Sequence, residues 1–363
     1  MTSAAYQQQL TEKQLYLNKL FADCAFPEMQ VFTSPASHYR MRAEFRIWHD
    51  GETCSYAMFA PGEKAGNGNV KKLRHFAVAH KNIDSLMPVM LDCIQSNELL
   101  KSRLFQVEFL TTLAGDTLVS LIYHKKLNND WMQAAKALAS ELGIQIIGRS
   151  RGQKVVLERD YVIERLSVGN EVFQYKQLEG GFTQPNAVVC ESMLSWATNV
   201  AKAIPMGDLL ELYCGNGNFT LPLARHFRRV LATEVSKTSV QAARWNIDTN
   251  QIHNIAIARL SAEEFTEAYA GVRTFKRLVS EQINLGDYEF STVFVDPPRA
   301  GIDADTLQLL QKFDNIIYVS CNPVTLHDNL QTLLTTHQVR QAAMFDQFPF
   351  TPHIESGVWL QRC

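Results

Sequence analysis

Cys321 and Glu355 are the two side chains whose type and setting point most directly to chemistry. Cys321 stands in Ser320-Cys321-Asn322-Pro323 at the end of one apolar run, and Glu355 precedes the last such run of the chain. Asp296-Pro297-Pro298-Arg299 ends a third run, and Gly215-Asn216-Gly217 follows a fourth. A thiol and a carboxylate beside a methyl donor suit one reaction well. Carbon 5 of uracil is a poor nucleophile, but a thiolate adding at carbon 6 turns the ring into an enolate that can attack a sulfonium methyl group. The carbon 5 proton must then pass to a base, after which the thiolate is expelled. Cys321 fits the nucleophile and Glu355 the base, and the enolate needs hydrogen-bond donors as any oxyanion does. The thiol has to ionise, so its pKa is expected to be low, through Arg299 or a helix starting after Pro323. Taken singly, each residue has a plainer reading: Cys321 as inert packing, Glu355 as a solvated turn residue, Asp296 as a helix cap. Their shared place at strand ends is what sets them apart.

The elements that must position these groups follow from the pattern of apolar runs. Strands are expected at 209–213, 229–234, 255–260, 292–295, 316–320, 341–346 and 357–360, with helices between the first six. That rhythm predicts a doubly wound parallel sheet. The last two strands have too short a connection for a crossover helix, so the final strand should run antiparallel. Ligands bind at the carboxyl edge of such sheets, and an antiparallel strand begins at that edge. Asp296, Cys321 and Glu355 should therefore converge with the Gly215 loop. Glu234 closes the strand after that loop, where a carboxylate accepts ribose hydroxyls. The third glycine of a dinucleotide fingerprint is missing, which suits S-adenosylmethionine, a nucleoside ligand with no pyrophosphate. Cys214 continues its strand and reads as structural.

The first half differs. Hairpins are expected around Asp50-Gly51, around Gly115-Asp116 and through 145–158, with helices near 82–100 and 131–142, which together predict an α+β domain with an antiparallel sheet. An amphipathic helix at the N-terminus would turn Leu10, Leu15, Leu17, Leu20 and Phe21 to a core. The glycine-rich stretch 61–70 reads as a loop. The expected division is 1–178 and 179–363. With 363 residues, 46% of them hydrophobic and 20% charged, the composition is that of a globular protein. No apolar run suits a bilayer and no signal peptide is evident, so no membrane role and a cytoplasmic location are expected. The seven cysteines are dispersed without a CxxC pair, so neither a metal site nor an iron–sulfur cluster is expected. The net charge is −2, with the first half slightly basic and the second acidic. This permits RNA binding by the first half without establishing it.

Gly181-Phe182-Thr183-Gln184-Pro185-Asn186, the 211–219 segment, Asp296–Arg299, Ser320–Pro323 and the Glu355 loop together resemble the motif set of the RNA (uracil-5-)-methyltransferase family. The tRNA-modifying branch is nearest, because the cysteine cluster of the rRNA-modifying relatives is missing. The resemblance spans nearly the whole chain. It implies a Rossmann-like class I methyltransferase domain with a seven-stranded, mostly parallel sheet whose last strand is antiparallel, preceded by an α+β RNA-binding domain. It implies S-adenosylmethionine as methyl donor, contacted by Gln184, Tyr213, Gly215, Asn218, Glu234 and Asp296. It implies Cys321 as nucleophile, Glu355 as proton acceptor, and Phe105 and His124 as residues that engage the T-loop of tRNA. The implied product is ribothymidine in the T-arm, and no obligatory protein partner is implied. The same chemistry on rRNA stays open, as does an RNA-binding or RNA-folding role. An amino-methyltransferase is the weaker reading, since Arg299 replaces the aromatic residue of the corresponding Pro-Pro motif.

Carbon 6 of a stacked base is out of reach of a protein thiol, so the target must be flipped out. Splayed loop bases stack on aromatic groups. Candidates are Tyr39, Phe45, Trp48, Phe105, Phe109 and Tyr123, with Phe182 and Arg299 nearer the site. Arg40, Arg42, Arg46, Lys71, Lys72, Lys125, Lys126, Arg149, Arg151 and Lys154 are candidates for phosphate contacts.

Overall fold

A computed structural model of the chain describes residues 3–59 and 70–363. The stretch 61–70 lies outside the described residues apart from Val70. The chain opens with α1 (Ser3–Leu20) and β1 (Gln30–Phe32). The first half continues with β2 (Arg42–Asp50), β3 (Thr53–Met58), β4 (Lys71–Leu73), α2 (Lys81–Ser96), α3 (Glu98–Lys101), β5 (Leu104–Thr111), β6 (Thr117–Tyr123), α4 (Asn129–Leu142), β7 (Gln145–Ser150) and β8 (Gln153–Val156). A hairpin follows, β9 (Tyr161–Val168) and β10 (Glu171–Leu178), whose pattern the sequence reading did not pick out. The second half holds α5 (Ala187–Ala203), β11 (Asp208–Leu212), α6 (Thr220–Ala224), β12 (Arg229–Thr233), α7 (Lys237–Thr249), β13 (Ile255–Ala258), α8 (Ala262–Tyr269), α9 (Lys276–Ser280), β14 (Phe290–Val295), α10 (Ala304–Leu310), β15 (Asn315–Ser320), α11 (Pro323–Leu333), β16 (His337–Phe345) and β17 (Glu355–Arg362).

The contacts divide the chain into two compact units. One comprises Met1–Ala36, Arg165–Lys176 and Val188–Cys363, the other Ser37–Glu164 and Gln177–Ala187. The expected division at 178/179 is therefore drawn differently. The N-terminal helix and part of the β9–β10 hairpin pack with the second half of the sequence, because their apolar faces complete that core. Tyr6, Leu10, Leu17 and Phe21 share one cluster with Leu210, Val293, Tyr318 and Met344.

In the larger unit the sheet order is β1-β16-β17-β15-β14-β11-β12-β13. It has eight strands where seven were expected. The additional strand is β1, parallel to β16, with Phe32 paired to Phe345. The last strand is antiparallel as expected, running against both β15 and β16. The central strands β11 and β15 are buried along their whole length, as sheets covered on both faces require. At the far end of β11 from the site, the buried Asp208 accepts from Arg228 at 2.9 Å and Arg229 at 3.0 Å. These partners outweigh the cost of burial and hold its carboxyl down to about 2. A depressed carboxylate pKa contributes stability above the unfolded value near 4 and loses it as pH falls toward 2. Asp208→Asn should therefore cost about 2 kcal/mol at neutral pH. In urea melts the gap from the parent protein should close as pH falls below about 4.

The smaller unit has a seven-stranded sheet in the order β4-β3-β2-β5-β6-β7-β8. The three expected hairpins are β2–β3, β5–β6 and β7–β8. The sheet is not purely antiparallel, however: β6 and β7 pair in parallel. The segment joining them carries α4 and is long enough for a crossover. The α2 and α4 helices cover one face through Ile83, Met87, Trp131 and Leu138. No helix among the described residues is long and apolar enough to cross a membrane.

Candidate active site

Three neighbouring strands of the larger unit deliver the expected groups. Asp296 follows β14, Cys321 follows β15 and Glu355 opens β17. The last antiparallel rung between β15 and β17 pairs Ser320 with Ser356. Cys321 follows the first residue of that rung and Glu355 precedes the second, and the Glu355 carboxyl is near enough to act on the Cys321 thiol. The Ser320-Cys321-Asn322-Pro323 turn is fixed by its own polar groups. The Asn322 N–H donates to Ser320 Oγ (3.2 Å), and Asn322 Oδ1 accepts from the Val324 N–H (3.2 Å), capping α11. Asn322 Nδ2 donates to the Arg299 carbonyl (3.0 Å), so the Asp296–Arg299 loop is tied to the cysteine turn. Cys321 is half-buried in the wall of a cavity of about 860 Å³. Arg299, Val324, the loop Phe350–Ile354 and four residues of α1 (Gln9, Glu12, Lys13 and Tyr16) share that wall.

The electrostatics of the free protein differ from expectation. The Cys321 thiol is pushed up to about 11, not down. Burial is the main cause, and the nearby Glu355 and Asp296 add to it, while Arg299 acts in the opposite sense. Burial likewise pushes Asp296 up to about 7. It holds Glu355 well above the usual carboxylate range, with Asp296 adding and Arg299 opposing. Glu211 on β11 is a further buried acid, raised to about 8 by burial, with Thr220 opposing and Asp296 adding. Several acids thus share a dry site with one cation close by, which favours their neutral forms.

The glycine loop is built for close approach. Gly215 has φ +57° and Gly217 φ +84°, and Tyr213 itself sits at φ +62°. The Gly215 N–H donates to Glu234 Oε2 (3.0 Å) and the Ser236 N–H to Glu234 Oε1 (2.6 Å). Each carboxylate oxygen keeps a lone pair for a ribose hydroxyl. Asn218 Nδ2 donates to Cys190 Sγ (3.3 Å), and its carbonyl accepts from Tyr175 Oη (3.0 Å). Tyr213, Gly215, Asn218 and Glu234 thus gather in one loop region of the larger unit, at the end of the sheet that also carries Asp296. Cys214 is buried in the core. A Cβ on Gly215 would meet nothing, so only the backbone opposes a side chain there. Gly215→Ala should cost about 1 kcal/mol in stability. It should also weaken donor binding, measurable by titration, because the N–H held by Glu234 would shift.

The other expected contacts belong to the smaller unit. Gln184 lies there, half-buried, and Phe182 is 78% exposed. Phe105 and His124 stack with ring centroids 4.2 Å apart, and the Arg46 guanidinium lies 4.2 Å from the Phe105 centroid on β2 beside them. Such a stack offers a splayed base an aromatic and cationic platform. Four other aromatic candidates, Tyr39, Phe45, Phe109 and Tyr123, are core residues. Phe45, Phe109 and Tyr123 point to the covered face of the sheet, which alternation alone does not distinguish from the open one. Among the basic candidates, Arg149 pairs with Glu179, Lys154 with Asp160 and Lys72 with Asp50. Arg42 donates to the Gly181 carbonyl. These groups have partners within the protein, and the three ion-paired cations stay partly open to solvent.

Sequence reasoning missed the α1 side of the cavity. Leu15, expected in the core, is 63% exposed, and the buried face runs Tyr6, Leu10, Lys13, Leu17, Phe21. A lysine at a core position of that helical spacing was the available signal.

The profile described as tRNA (uracil-5-)-methyltransferase matches residues 5–363. A Neisseria meningitidis protein named tRNA/tmRNA (uracil-C(5))-methyltransferase is 60% identical over 98% of this chain and 97% of its own. A protein of the same name from Acinetobacter baylyi is 56% identical over 99% of each. Among solved structures, the Pyrococcus abyssi tRNA (uracil-54, C5)-methyltransferase in complex with S-adenosyl-L-homocysteine superposes with a TM-score of 0.72 at 20% identity. That match covers 98% of this chain and 83% of the other, and it supports the fold.

Proposed function

Because the chain belongs to the tRNA (uracil-5-)-methyltransferase family, and is thus an S-adenosylmethionine-dependent enzyme, we propose that it methylates carbon 5 of a T-loop uridine in tRNA through a covalent Cys321 adduct. The observation that supports this reading is that Cys321 and Glu355 flank the last β15–β17 rung, with the buried Glu355 carboxyl near enough to act on the thiol. Glu234 would hold the ribose of the donor at the glycine loop, and Tyr213, Asn218 and Asp296 would supply further contacts. S-adenosylmethionine supplies an electrophilic methyl group on a sulfonium. The flipped uridine enters the cavity walled by Cys321, where the Cys321 sulfur adds to carbon 6 and the electron pair moves to the carbonyl oxygen as an enolate. Arg299 is the cation at hand for that oxyanion. Carbon 5 takes the methyl group as the donor's methyl–sulfur bond breaks and its electron pair stays on sulfur, which leaves as the neutral thioether. Glu355 takes the carbon 5 proton, and elimination returns the thiolate.

The raised thiol pKa fits this order of events. The thiol, Glu355 and Glu211 favour their neutral forms in the free site, which keeps the nucleophile quiet. A bound sulfonium adds a positive charge among them and lowers the pKa of each. Phe105, His124 and Arg46 are the surface we assign to the loop bases, with Phe182 as an exposed aromatic beside the Gly180-Gly181 turn.

The P. abyssi protein is named for uridine 54, and the curated relatives for both tRNA and tmRNA. Incubation of the enzyme and donor with tRNA, tmRNA or an rRNA fragment, followed by nucleoside mapping, tests the substrate. The expected result is 5-methyluridine at the T-loop position of tRNA. Methylation confined to rRNA would contradict the proposal.

A further inference from the structure

Residues 346–354 connect β16 to β17 and lead directly into Glu355. Within the loop, the Thr351 N–H and Oγ1 donate to the Phe348 carbonyl (3.2 and 2.9 Å) and the His353 N–H donates to Thr351 Oγ1 (3.3 Å). The N-terminal elements tie this loop to the rest of the unit. Lys13 Nζ lies 2.6 Å from Asp346 Oδ1, 3.0 Å from the Phe348 carbonyl and 3.0 Å from the His353 carbonyl. Those three acceptors use all the protons of one ammonium. Gln9 Nε2 donates to the other Asp346 oxygen (3.0 Å). The Asp346 N–H donates to the Phe32 carbonyl of β1 (3.0 Å), and the Tyr6 ring stands edge-on to Phe350. One side chain of α1 thus holds the loop at its start, in its middle and two residues before Glu355.

Lys13 is 7% exposed and Asp346 fully buried. An apolar residue would continue the Tyr6–Leu10–Leu17–Phe21 stripe, and buried ion pairs are poor stabilisers compared with such packing. What a lysine does here, and a leucine does not, is fix two backbone carbonyls and a carboxylate in one geometry. The same residue faces the cavity that contains Cys321. We propose that Lys13 is a positioning residue, which sets the 346–354 loop so that Glu355 meets carbon 5 of the substrate, with α1 as the outer wall of the uridine cavity. This rests on the reading of Cys321 and Glu355 given above.

Lys13→Met leaves Asp346 buried without its cation and is expected to loosen the fold. The double variant Lys13→Met/Asp346→Asn removes both charges and is the informative one. The full-length enzyme is assayed with tRNA and S-adenosylmethionine, and the folded fraction is counted by donor titration. Per folded molecule, kcat of the double variant should fall on the order of a hundredfold, as misplacement by about 1 Å does. kcat/KM for tRNA should change far less than kcat, because the slowed step follows methyl transfer and an accumulating adduct lowers KM along with kcat. A protein–tRNA adduct stable to denaturant should build up, since proton removal is slowed more than thiol attack. A double variant with parental kcat per folded molecule, or one that is slow without accumulating adduct, would overturn the role of Lys13. Methylation by a Cys321→Ala control in the same assay would instead overturn the underlying covalent reading, whatever Lys13 does.

Discussion

Cys321→Ala is expected to abolish methyl transfer while S-adenosylmethionine still binds. Removing a covalent nucleophile leaves no low-barrier route, and losses of roughly five to six orders of magnitude in kcat accompany such deletions. The fold should survive, because the turn around residue 321 is held by Ser320, Asn322 and the cap of α11. None of these bonds involves the sulfur. Donor affinity, read by titration, should stay close to that of the parent, since the glycine loop and Glu234 lie on other strands. In the parent enzyme, single-turnover adduct formation should rise with pH across the neutral to alkaline range. The thiol must lose its proton, and the free protein holds it up at about 11. A Cys321→Ala enzyme that still turns over would end the addition mechanism.

Glu355→Gln should trap the intermediate. Thiol attack and methyl transfer precede the step that needs a base, so the variant should carry RNA and protein joined through the Cys321 sulfur. Turnover should fall by about two to four orders of magnitude, the usual contribution of a positioned base. The substitution is nearly isosteric and keeps the site neutral. A buried carboxyl whose pKa is raised by folding favours the protonated form, so its presence lowers stability as pH rises above the unfolded value. The glutamine variant should therefore gain stability relative to the parent as pH rises above the unfolded carboxylate value near 4, read in urea melts across that range. Rapid turnover without an adduct would remove Glu355 from the base role.

Much of this architecture was legible because it follows from short-range chemistry. The apolar runs and the helices between them predicted the parallel sheet. The cramped connection before residue 357 predicted the antiparallel last strand, and hence that Glu355 begins where Cys321 ends. The glycine loop and Glu234 followed from spacing. What stayed hidden depended on distant partners. The edge strand β1 is three residues long and exists only because β16 offers it a free edge. Lys13 finds its acceptors more than 330 residues away. The parallel pairing of β6 with β7 is a choice of register across α4 that no local pattern records. The thiol pKa was expected low because Arg299 and a helix start stand near in sequence, yet desolvation and two carboxylates from other strands outweigh them. In the first half, strand aromatics read equally well as core or as stacking surface. The structure buries Phe109 and Tyr123 and leaves Phe105 stacked on His124.

The central claim is that one sulfur attacks the pyrimidine ring, and 5-fluorouridine-substituted tRNA tests it most directly. Fluorine cannot leave carbon 5 as a proton, so the reaction stops at the methylated adduct. With enzyme and S-adenosylmethionine present, the predicted result is a denaturant-stable complex, with peptide mapping placing the link at Cys321 and nucleotide mapping placing it at the T-loop uridine. A link to any other cysteine, or complete methylation of normal tRNA by an enzyme that forms no complex with the fluorinated one, would contradict it.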